Sequence, residues 1–245
     1  MPSNQPIGIF DSGFGGLTVA RAIIDLLPSE DIVYYGDTSR YPYGPQPLEE
    51  VKSYSQQISD YLIAEHDVKM IVIACNTASA AAEGDLRNST EIPIVGVITP
   101  GAQAVAEVSS TKKIGVIGTV GTINSQAYDN ALKGISPETI ELVSVACPGF
   151  VEFVERGEFE GEQVRILADR LLAPVIQADV DALLLGCTHY PYLARAIGES
   201  VGEGVVLVSS ADETAFAVAK SLKAKDLKTT NINQGNRTCL LYTSP

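Results

Sequence analysis

The chain has 245 residues, of which 45% are hydrophobic and 19% charged, and its formal net charge is −13 at pH 7. This composition is that of an ordinary globular protein, long enough for one large domain or two small ones. The negative charge argues against nucleic acid or an anionic membrane as a partner, because both require clustered Lys and Arg. It does not exclude a small anionic substrate held by a local group of N–H donors.

Targeting and membrane signals are not evident in the sequence. The N-terminal residues show no basic region followed by an apolar stretch, so we expect no secretory signal. No apolar run approaches the roughly 18 residues of a membrane span. We therefore expect a cytoplasmic protein without a membrane partner.

The spacing of cysteine and histidine excludes several common sites. The cysteines are far apart and form no CxxC pair, which argues against a zinc site, and four in a chain this long do not form a disulfide scaffold. The two histidines are too distant in sequence to suggest a local metal site. We expect free thiols, no metal and no cofactor. The residues concerned are Cys75, Cys147, Cys187, Cys239, His66 and His189.

The first predicted elements are a strand, a glycine-rich turn and a helix. The strand Pro6–Phe10 runs into the turn at Asp11–Gly16, and Leu17–Leu27 has helical periodicity. The glycines permit close backbone approach and expose a helix N-terminus to an anion. The dinucleotide fingerprint GxGxxG is absent, and an ordinary strand-to-helix turn explains the glycines equally well. That simpler interpretation leaves the acidic residue at the strand end, Asp11, unexplained.

The next predicted elements lead to the first cysteine of interest. A strand at Asp31–Gly36 is followed by the loop Asp37–Pro45, which is rich in turn formers and aromatic rings. This loop is either a rigid turn or a substrate loop. A long amphipathic helix at Leu48–His66 precedes the strand Val68–Ala74, which ends at Cys75.

The rest of the chain continues to alternate strands and helices, a pattern typical of α/β folds. The further predicted strands are Ile92–Ile98, Lys113–Gly118, Glu141–Ala146, Val180–Gly186, Gly204–Val208 and an edge strand at Arg237–Ser244. The further predicted helices are Thr77–Leu86, Ala102–Val108, Phe150–Gly157, Gly161–Ala178 and Ala211–Lys223.

A weak internal repeat predicts two lobes. The segment IGIFDSG at Ile7 and the segment IGVIGTVG at Ile114 are both strand-to-turn entries, and each precedes a strand that ends in a cysteine. We predict an α/β protein of two similar doubly wound lobes with mainly parallel sheets and the active site in the cleft between them. The first lobe is residues 1–98 plus 209–245, and the second is residues 99–208.

Two strand-end thiols, Cys75 and Cys187, are the candidate reactive groups. Ligands of open α/β sheets bind at the carboxyl ends of strands, and nearby helix N-termini are expected to stabilise a thiolate. One thiolate and one thiol on opposite faces of a carbon acid can remove and return a proton, which inverts that carbon without a cofactor. Asp11 and His189 would assist. The other cysteines, Cys147 and Cys239, are interpreted as small inert hydrophobes.

Six segments together resemble the glutamate racemases of the cofactor-independent aspartate/glutamate racemase superfamily. No single segment is specific, but the set runs from the N-terminus to about position 195. One departure follows, Ser209-Ser210, where the family usually has Asp-Ser. The segments are DSGFGGLTV at Asp11, YYGDTSRYPYG at Tyr34, ACNTASA at Ala74, GVITPGA at Gly96, IGTVGTINS at Ile117 and GCTHYPYL at Gly186.

The resemblance implies a two-base racemisation of glutamate that supplies D-glutamate for peptidoglycan, with no metal or cofactor. It assigns Cys75 and Cys187 as the bases, Asp11 and His189 as their assisting groups, and a supporting role to Glu155. It allows a homodimer as the oligomeric state. The positions matching those that hold the amino acid or line its pocket are Ser12, Tyr43, Gly44, Asn76, Thr77, Thr119, Thr122 and Thr188.

Other functions stay open from the sequence alone. An aspartate racemase or a related cysteine-dependent dicarboxylate isomerase would differ by about one methylene in its pocket, which is worth only about 1–3 kcal/mol. A thiol redox protein or an amino-acid-binding protein belongs to a different class. The paired cysteines, each with an acid or base neighbour, favour the racemase.

Overall fold

The computed structural model describes residues 3–136 and 140–243. Contacts divide the chain into two compact units. The first unit runs to Val97 and resumes at Ala211, and the second is Ile98–Ser210. Each unit is an α/β fold with its own parallel sheet.

The first unit alternates strands with helices up to its fourth strand and adds one helix and one strand from the C-terminal part of the chain. Every strand pair in its sheet is parallel. Its elements are β1 Ile7–Asp11, α1 Leu17–Leu26, β2 Ile32–Gly36, α2 Leu48–His66, β3 Met70–Ile73, α3 Asn76–Ser89, β4 Ile94–Gly96, α10 Ala211–Ala224 and β9 Arg237–Leu241.

The second unit repeats this alternation, and its sheet is also parallel throughout. Its elements are α4 Ile98–Val108, β5 Lys113–Gly118, α5 Val120–Asn124, α6 Ala127–Ile135, β6 Glu141–Ala146, α7 Phe150–Glu155, α8 Glu162–Gln177, β7 Ala182–Gly186, a 3₁₀ helix Tyr190–Leu193, α9 Ala194–Val201 and β8 Val206–Ser209.

The two sheets share one topology. The first has the order β4-β3-β1-β2-β9 and the second β6-β5-β7-β8, so β1 to β4 and β5 to β8 occupy equivalent places and β9 extends one edge of the first sheet. In each sheet the strand order reverses between the first and third strands, β1 and β3 or β5 and β7. Open α/β sheets bind their ligands at such a switch point.

Strands buried on both faces explain the continuous apolar runs of the sequence. In the first unit, Ile9 and Val72 pack into one hydrophobic cluster, whereas their chain neighbours Phe10 and Ile73 pack into another. Because successive strand residues point to opposite faces, these clusters lie on opposite sides of the sheet. A third cluster, which includes Leu183 and Leu185, covers one face of the second sheet.

Several predicted boundaries were wrong. The strand predicted at Ile92–Ile98 is only three residues long, because Ile98 already begins α4. Helix α3 begins directly after Cys75 and continues to Ser89. Helices α5, α6 and α9 were not predicted. Strand β9 ends at Leu241, and Ser244 lies outside the described residues. Over the described part of the chain, none of the helices combines the length and apolarity needed to span a bilayer.

Candidate active site

Both candidate thiols follow the third strand of their sheet, at the switch point. In the first unit, β1 and β3 pair through Phe10 and Ile73, so Asp11 and Cys75 emerge at the same edge. In the second unit, β5 and β7 pair through Gly118 and Gly186, and Cys187 is the next residue.

Asp11 organises the turn after β1. It is fully buried, and its Oδ2 accepts hydrogen bonds from the N–H groups of Gly13 and Gly16, both at 3.1 Å. Gly16 allows this close approach, because a Cβ atom there would lie 2.5 Å from the Cβ of Asp11 and 2.9 Å from the Cβ of Ala74. Gly16 has a φ of −64°, which any residue adopts, so space rather than conformation requires glycine.

Cys75 caps the N-terminus of α3. Its Sγ accepts from the backbone N–H of Ala78 at 3.4 Å and lies 3.9 Å from the hydroxyl of Ser12. Asn76 and Thr77 form the first turn of α3 and are buried beside the thiol in sequence. The structure therefore brings Ser12 and Cys75 together, with Asn76 and Thr77 in the adjoining helical turn.

The resting state of Cys75 differs from the expected thiolate. Burial, and then the charge of Asp11, raise the pKa of the Cys75 thiol to about 12, although the N–H of Ala78 and the groups of Ser12 act in the opposite direction. The helix N-terminus therefore does not compensate for desolvation. Cys75 is a thiol at neutral pH, suited to donate a proton first.

The predicted substrate loop is held by a residue that sequence reasoning did not identify. Asp37, which directly follows β2, accepts a hydrogen bond from the Tyr43 hydroxyl and pairs with Arg40 at 2.6 Å. Burial, and then this bond to Asp37, raise the pKa of Tyr43 far above its ordinary value. Gly44 is buried next to it. The spacing of Asp37 and Tyr43 is compatible with such a pair, but nothing in the sequence distinguishes it from an ordinary loop.

In the second unit, Cys187 lies at one end of a relay of three side chains. Its Sγ is 3.8 Å from Nδ1 of His189, and Nε2 of His189 is 2.7 Å from Oε1 of Glu155. The imidazole is almost fully buried, whereas the Glu155 side chain is about one third exposed. Glu155 ends α7, 34 residues before His189, so only the fold brings them together.

The relay assigns roles to the two imidazole nitrogens. A carboxylate only accepts hydrogen bonds, so the 2.7 Å contact places the proton of neutral His189 on Nε2. Nδ1 then carries the lone pair, and it lies 3.8 Å from Sγ of Cys187 and 3.4 Å from the Thr188 hydroxyl. This arrangement allows His189 to receive the thiol proton and leave a thiolate, with Glu155 stabilising the imidazolium.

Three threonines lie near the carboxyl ends of β5 and β7 in the second unit. Thr119 follows β5 and caps α5, where its Oγ1 accepts from the N–H of Thr122 at 3.2 Å and lies 3.0 Å from the Thr122 hydroxyl. Thr188 Oγ1 is 3.4 Å from Nδ1 of His189. All three are small polar groups at the carboxyl ends of β5 and β7, where a ligand of this sheet would bind.

The remaining cysteines have different environments. Cys147 is buried in the hydrophobic core of the second unit, and burial raises the pKa of its thiol to about 12. Cys239 was interpreted as a small inert hydrophobe, but it is exposed on β9, the edge strand of the first sheet. Within residues 3–136 and 140–243, no group of three or more His, Cys, Asp or Glu side chains could hold a metal ion.

Comparisons with known proteins give a consistent result. A sequence profile described as Asp/Glu/hydantoin racemase matches residues 9–218. A glutamate racemase of Geobacter metallireducens is 50% identical over 232 residues, which are 95% of this chain and 85% of that protein.

Solved structures agree with the sequence comparison. A glutamate racemase isoform from Bacillus anthracis superposes with a TM-score of 0.92 at 41% identity, covering 99% of this chain and 90% of that one. The glutamate racemase of Francisella tularensis, solved in complex with D-glutamate, gives 0.92 at 34% identity, with 99% and 89% covered. An aspartate racemase homologue from Pyrococcus horikoshii, at 17% identity and a TM-score of 0.61, shares the fold. From the profile match and these relatives, the chain belongs to the Asp/Glu/hydantoin racemase family.

Proposed function

We propose that this protein interconverts L- and D-glutamate by a two-base mechanism that requires no cofactor. The observation that carries the proposal is the duplicated switch-point site, in which each sheet presents one buried thiol with its own acid or base neighbour. The relatives of about 50% identity are glutamate racemases, which supports glutamate as the substrate.

The different surroundings of the thiols suggest the order of proton transfers. Cys187 loses its proton to Nδ1 of His189 and, as a thiolate, removes the α-hydrogen of one enantiomer. Cys75, held as a thiol by burial and by Asp11, gives its proton to the opposite face of the same carbon. The product is the other enantiomer, and Cys75 is left as the thiolate that begins the reverse reaction. The proposal requires both sulfur atoms to reach one α-carbon.

Neutral donors are proposed to hold the substrate. The hydroxyls of Ser12, Thr77, Thr119, Thr122 and Thr188 and the amide of Asn76 lie at strand ends or in first helical turns, where backbone N–H groups also favour carboxylates. Tyr43 and Gly44 complete this set, with Tyr43 fixed by Asp37. A bound glutamate whose two carboxylates both paired with Arg or Lys would contradict this part.

The primary test uses hydrogen exchange. L-glutamate incubated with the protein in D2O should lose its α-hydrogen signal in NMR spectra while D-glutamate with deuterium at the α-carbon accumulates. Retention of the α-hydrogen would contradict the proposal and favour an amino-acid-binding or redox protein. Aspartate under the same conditions tests the alternative substrate. If aspartate were turned over faster than glutamate, the protein would be an aspartate racemase instead.

Two single substitutions test the assignment of one thiol to each face. Cys75→Ser and Cys187→Ser should each abolish racemisation, because both directions use both groups and a hydroxyl is a poor base. Elimination of chloride from β-chloroalanine needs only the first proton abstraction. Cys75→Ser should therefore retain elimination from one enantiomer and Cys187→Ser from the other. If both variants lost elimination from the same enantiomer, the assignment of one thiol to each face would be wrong.

The proposal extends to the role of the product. D-glutamate made in the cytoplasm would supply peptidoglycan synthesis, as the resemblance implies. Growth of a bacterial D-glutamate auxotroph after expression of this chain tests that role. The variants Cys75→Ser and Cys187→Ser are the matched controls, and growth that both variants also support would contradict the role.

A further inference from the structure

Two polar side chains of α3 that the proposed reaction does not use bind the end of β4. The Ser79 hydroxyl donates to the carbonyl oxygen of Ile73 at 3.0 Å and accepts from the N–H of Val97 at 3.2 Å. The Glu83 carboxylate accepts from the N–H of Gly96 at 3.2 Å. We call Ser79 and Glu83 the β4 clasp.

The β4 clasp is closely fitted. Ser79 is 4% exposed, and the Glu83 side chain is 12% exposed and pairs with Arg87 at 2.5 Å. A Cβ atom at Gly96 would lie 2.2 Å from Oε2 of Glu83 and 3.0 Å from Oγ of Ser79, so only glycine leaves room for both. A buried polar group that loses its hydrogen-bond partner is unfavourable, because it has already lost its contact with water. The hydrogen bonds therefore favour one arrangement of these side chains.

The β4 clasp contacts the chain on both sides of Cys75. Ile73 ends β3, two residues before the thiol, and the N–H of Ser79 donates to the carbonyl oxygen of Cys75 at 2.8 Å. Val97, which binds the Ser79 hydroxyl, is the last residue of the first unit before α4. One hydroxyl thus connects the strand that leads to the thiol, the helix that the thiol caps and the end of β4.

We propose that Ser79 and Glu83 are positioning residues for Cys75. They hold β3, the first two turns of α3 and the end of β4 in one arrangement, which keeps Sγ of Cys75 where it exchanges a proton with the substrate. The inference rests on the proposed function, in which Cys75 serves one enantiomer. A displacement of about 1 Å can lower a rate by about 100-fold, so a lost clasp contact should affect that enantiomer selectively.

The experiment compares elimination from the two enantiomers of β-chloroalanine. The Cys75 enantiomer is defined as the one whose elimination is lost in Cys75→Ser. Ser79→Ala and Glu83→Ala should lower kcat for that enantiomer by between about tenfold and 100-fold, and leave the other enantiomer unchanged. Glu83→Gln should restore the rate, because its amide oxygen still accepts from the N–H of Gly96.

The matched control is Ser59→Ala. Ser59 is also buried in the first unit, and its hydroxyl donates to the carbonyl oxygen of Ser55 at 2.8 Å, so that this bond lies within α2. Ser59→Ala should leave the ratio of the two elimination rates unchanged.

Three results would overturn the inference. Equal slowing of both enantiomers by Ser79→Ala and Glu83→Ala would indicate a general loss of folded protein, and no slowing would show that Cys75 does not depend on the clasp. If Ser79→Ala does not fold, Glu83→Ala and Glu83→Gln decide alone. Failure of Cys75→Ser and Cys187→Ser to spare opposite enantiomers would overturn the proposed function, and the clasp inference with it.

Discussion

The charge of a single carboxylate helps to keep Cys75 protonated. Burial has the largest effect on that thiol, and the negative charge of Asp11 adds to it. Asp11→Asn removes the charge but keeps an oxygen that can accept from Gly13 and Gly16. We expect the pKa of Cys75 to fall from about 12, while staying above the ordinary value because burial is unchanged. Ultraviolet thiolate absorbance, measured against Cys75→Ser in the same background, follows this titration. A pKa that stays unchanged or rises would contradict the role of Asp11.

The relay in the second unit predicts a selective loss of rate. Glu155→Gln replaces the carboxylate that accepts from His189 with a neutral amide, which stabilises an imidazolium less. We expect elimination from the enantiomer served by Cys187 to slow by about tenfold, with the Cys75 enantiomer unaffected. Glu158→Gln is the control, since Glu158 is exposed and pairs with Arg156. Equal rates for Glu155→Gln and the control would exclude Glu155 from the relay.

The sequence predicted which residue types stand at the strand ends, but not their protonation or their distant partners. Polar residues after apolar runs located Cys75 and Cys187, because a strand that ends at a sheet edge leaves that pattern. The pKa of Cys75 depends on how deeply it is buried, which no local pattern records. Glu155 was assigned only through the family resemblance, because its contact with His189 exists only after folding.

At the scale of elements, the carboxylate of Asp181 connects the start of β7 to the loop between α4 and β5 by hydrogen bonds. Desolvation by itself raises the pKa of Asp181, but hydrogen bonds from Ser109, Thr111 and Ser110 outweigh it and hold that pKa well below its ordinary value. The bonds from the Ser109 hydroxyl and the Ser110 N–H are 2.6 and 2.7 Å long. A carboxyl with a depressed pKa stabilises the fold at pH values above its unfolded pKa of about 3.9.

We expect Asp181→Asn to lower the free energy of unfolding by about 1 kcal/mol at neutral pH, since the bonds are charge-assisted but partly exposed. The difference should shrink as the pH falls below about 4 toward the lower folded-state pKa, where the wild-type carboxyl also becomes neutral. Urea unfolding at several pH values measures it. Asp179→Asn is the control, because Asp179 is 89% exposed in its pair with Lys113. A difference that grew on acidification would contradict this account.

Element boundaries were harder to predict than element types. The run Ile92–Ile98 is apolar throughout, and nothing in it marks the change from β4 to α4, which follows after a single residue, Val97. Helix α6 is short, and only Tyr128 and Leu132 are buried in it, which is too weak a periodicity to detect. By contrast, α2 has 19 residues with acidic residues in its first turn and His66 in its last, so both of its ends were predicted.

At the scale of the whole molecule, the net charge of −13 weakens the binding of an anionic substrate through electrostatic repulsion. Added salt screens the field of distant charges, whose range is about 8–10 Å at physiological ionic strength, but screens buried hydrogen bonds much less. We therefore expect the KM for glutamate to fall modestly as sodium chloride is raised, with kcat unchanged. Sucrose at equal osmolarity is the control. A KM that rises with salt would indicate an exposed cationic group in the binding site, contrary to the neutral donors proposed above.

The two units share one strand order but place different groups beside their thiols, and the equilibrium of the proposed reaction limits how that difference can be observed. Cys75 and Cys187 follow the equivalent strands β3 and β7, but Asp11 stands at the end of β1, whereas His189 follows β7 like its thiol. Under the proposed reaction, mirror-image substrates have identical free energies in water, so the equilibrium constant is one. The Haldane relation then requires equal kcat/KM in both directions, however dissimilar the two halves become. Divergence between them is therefore visible only in the separate values of kcat and KM, or in irreversible reactions that stop after the first proton transfer.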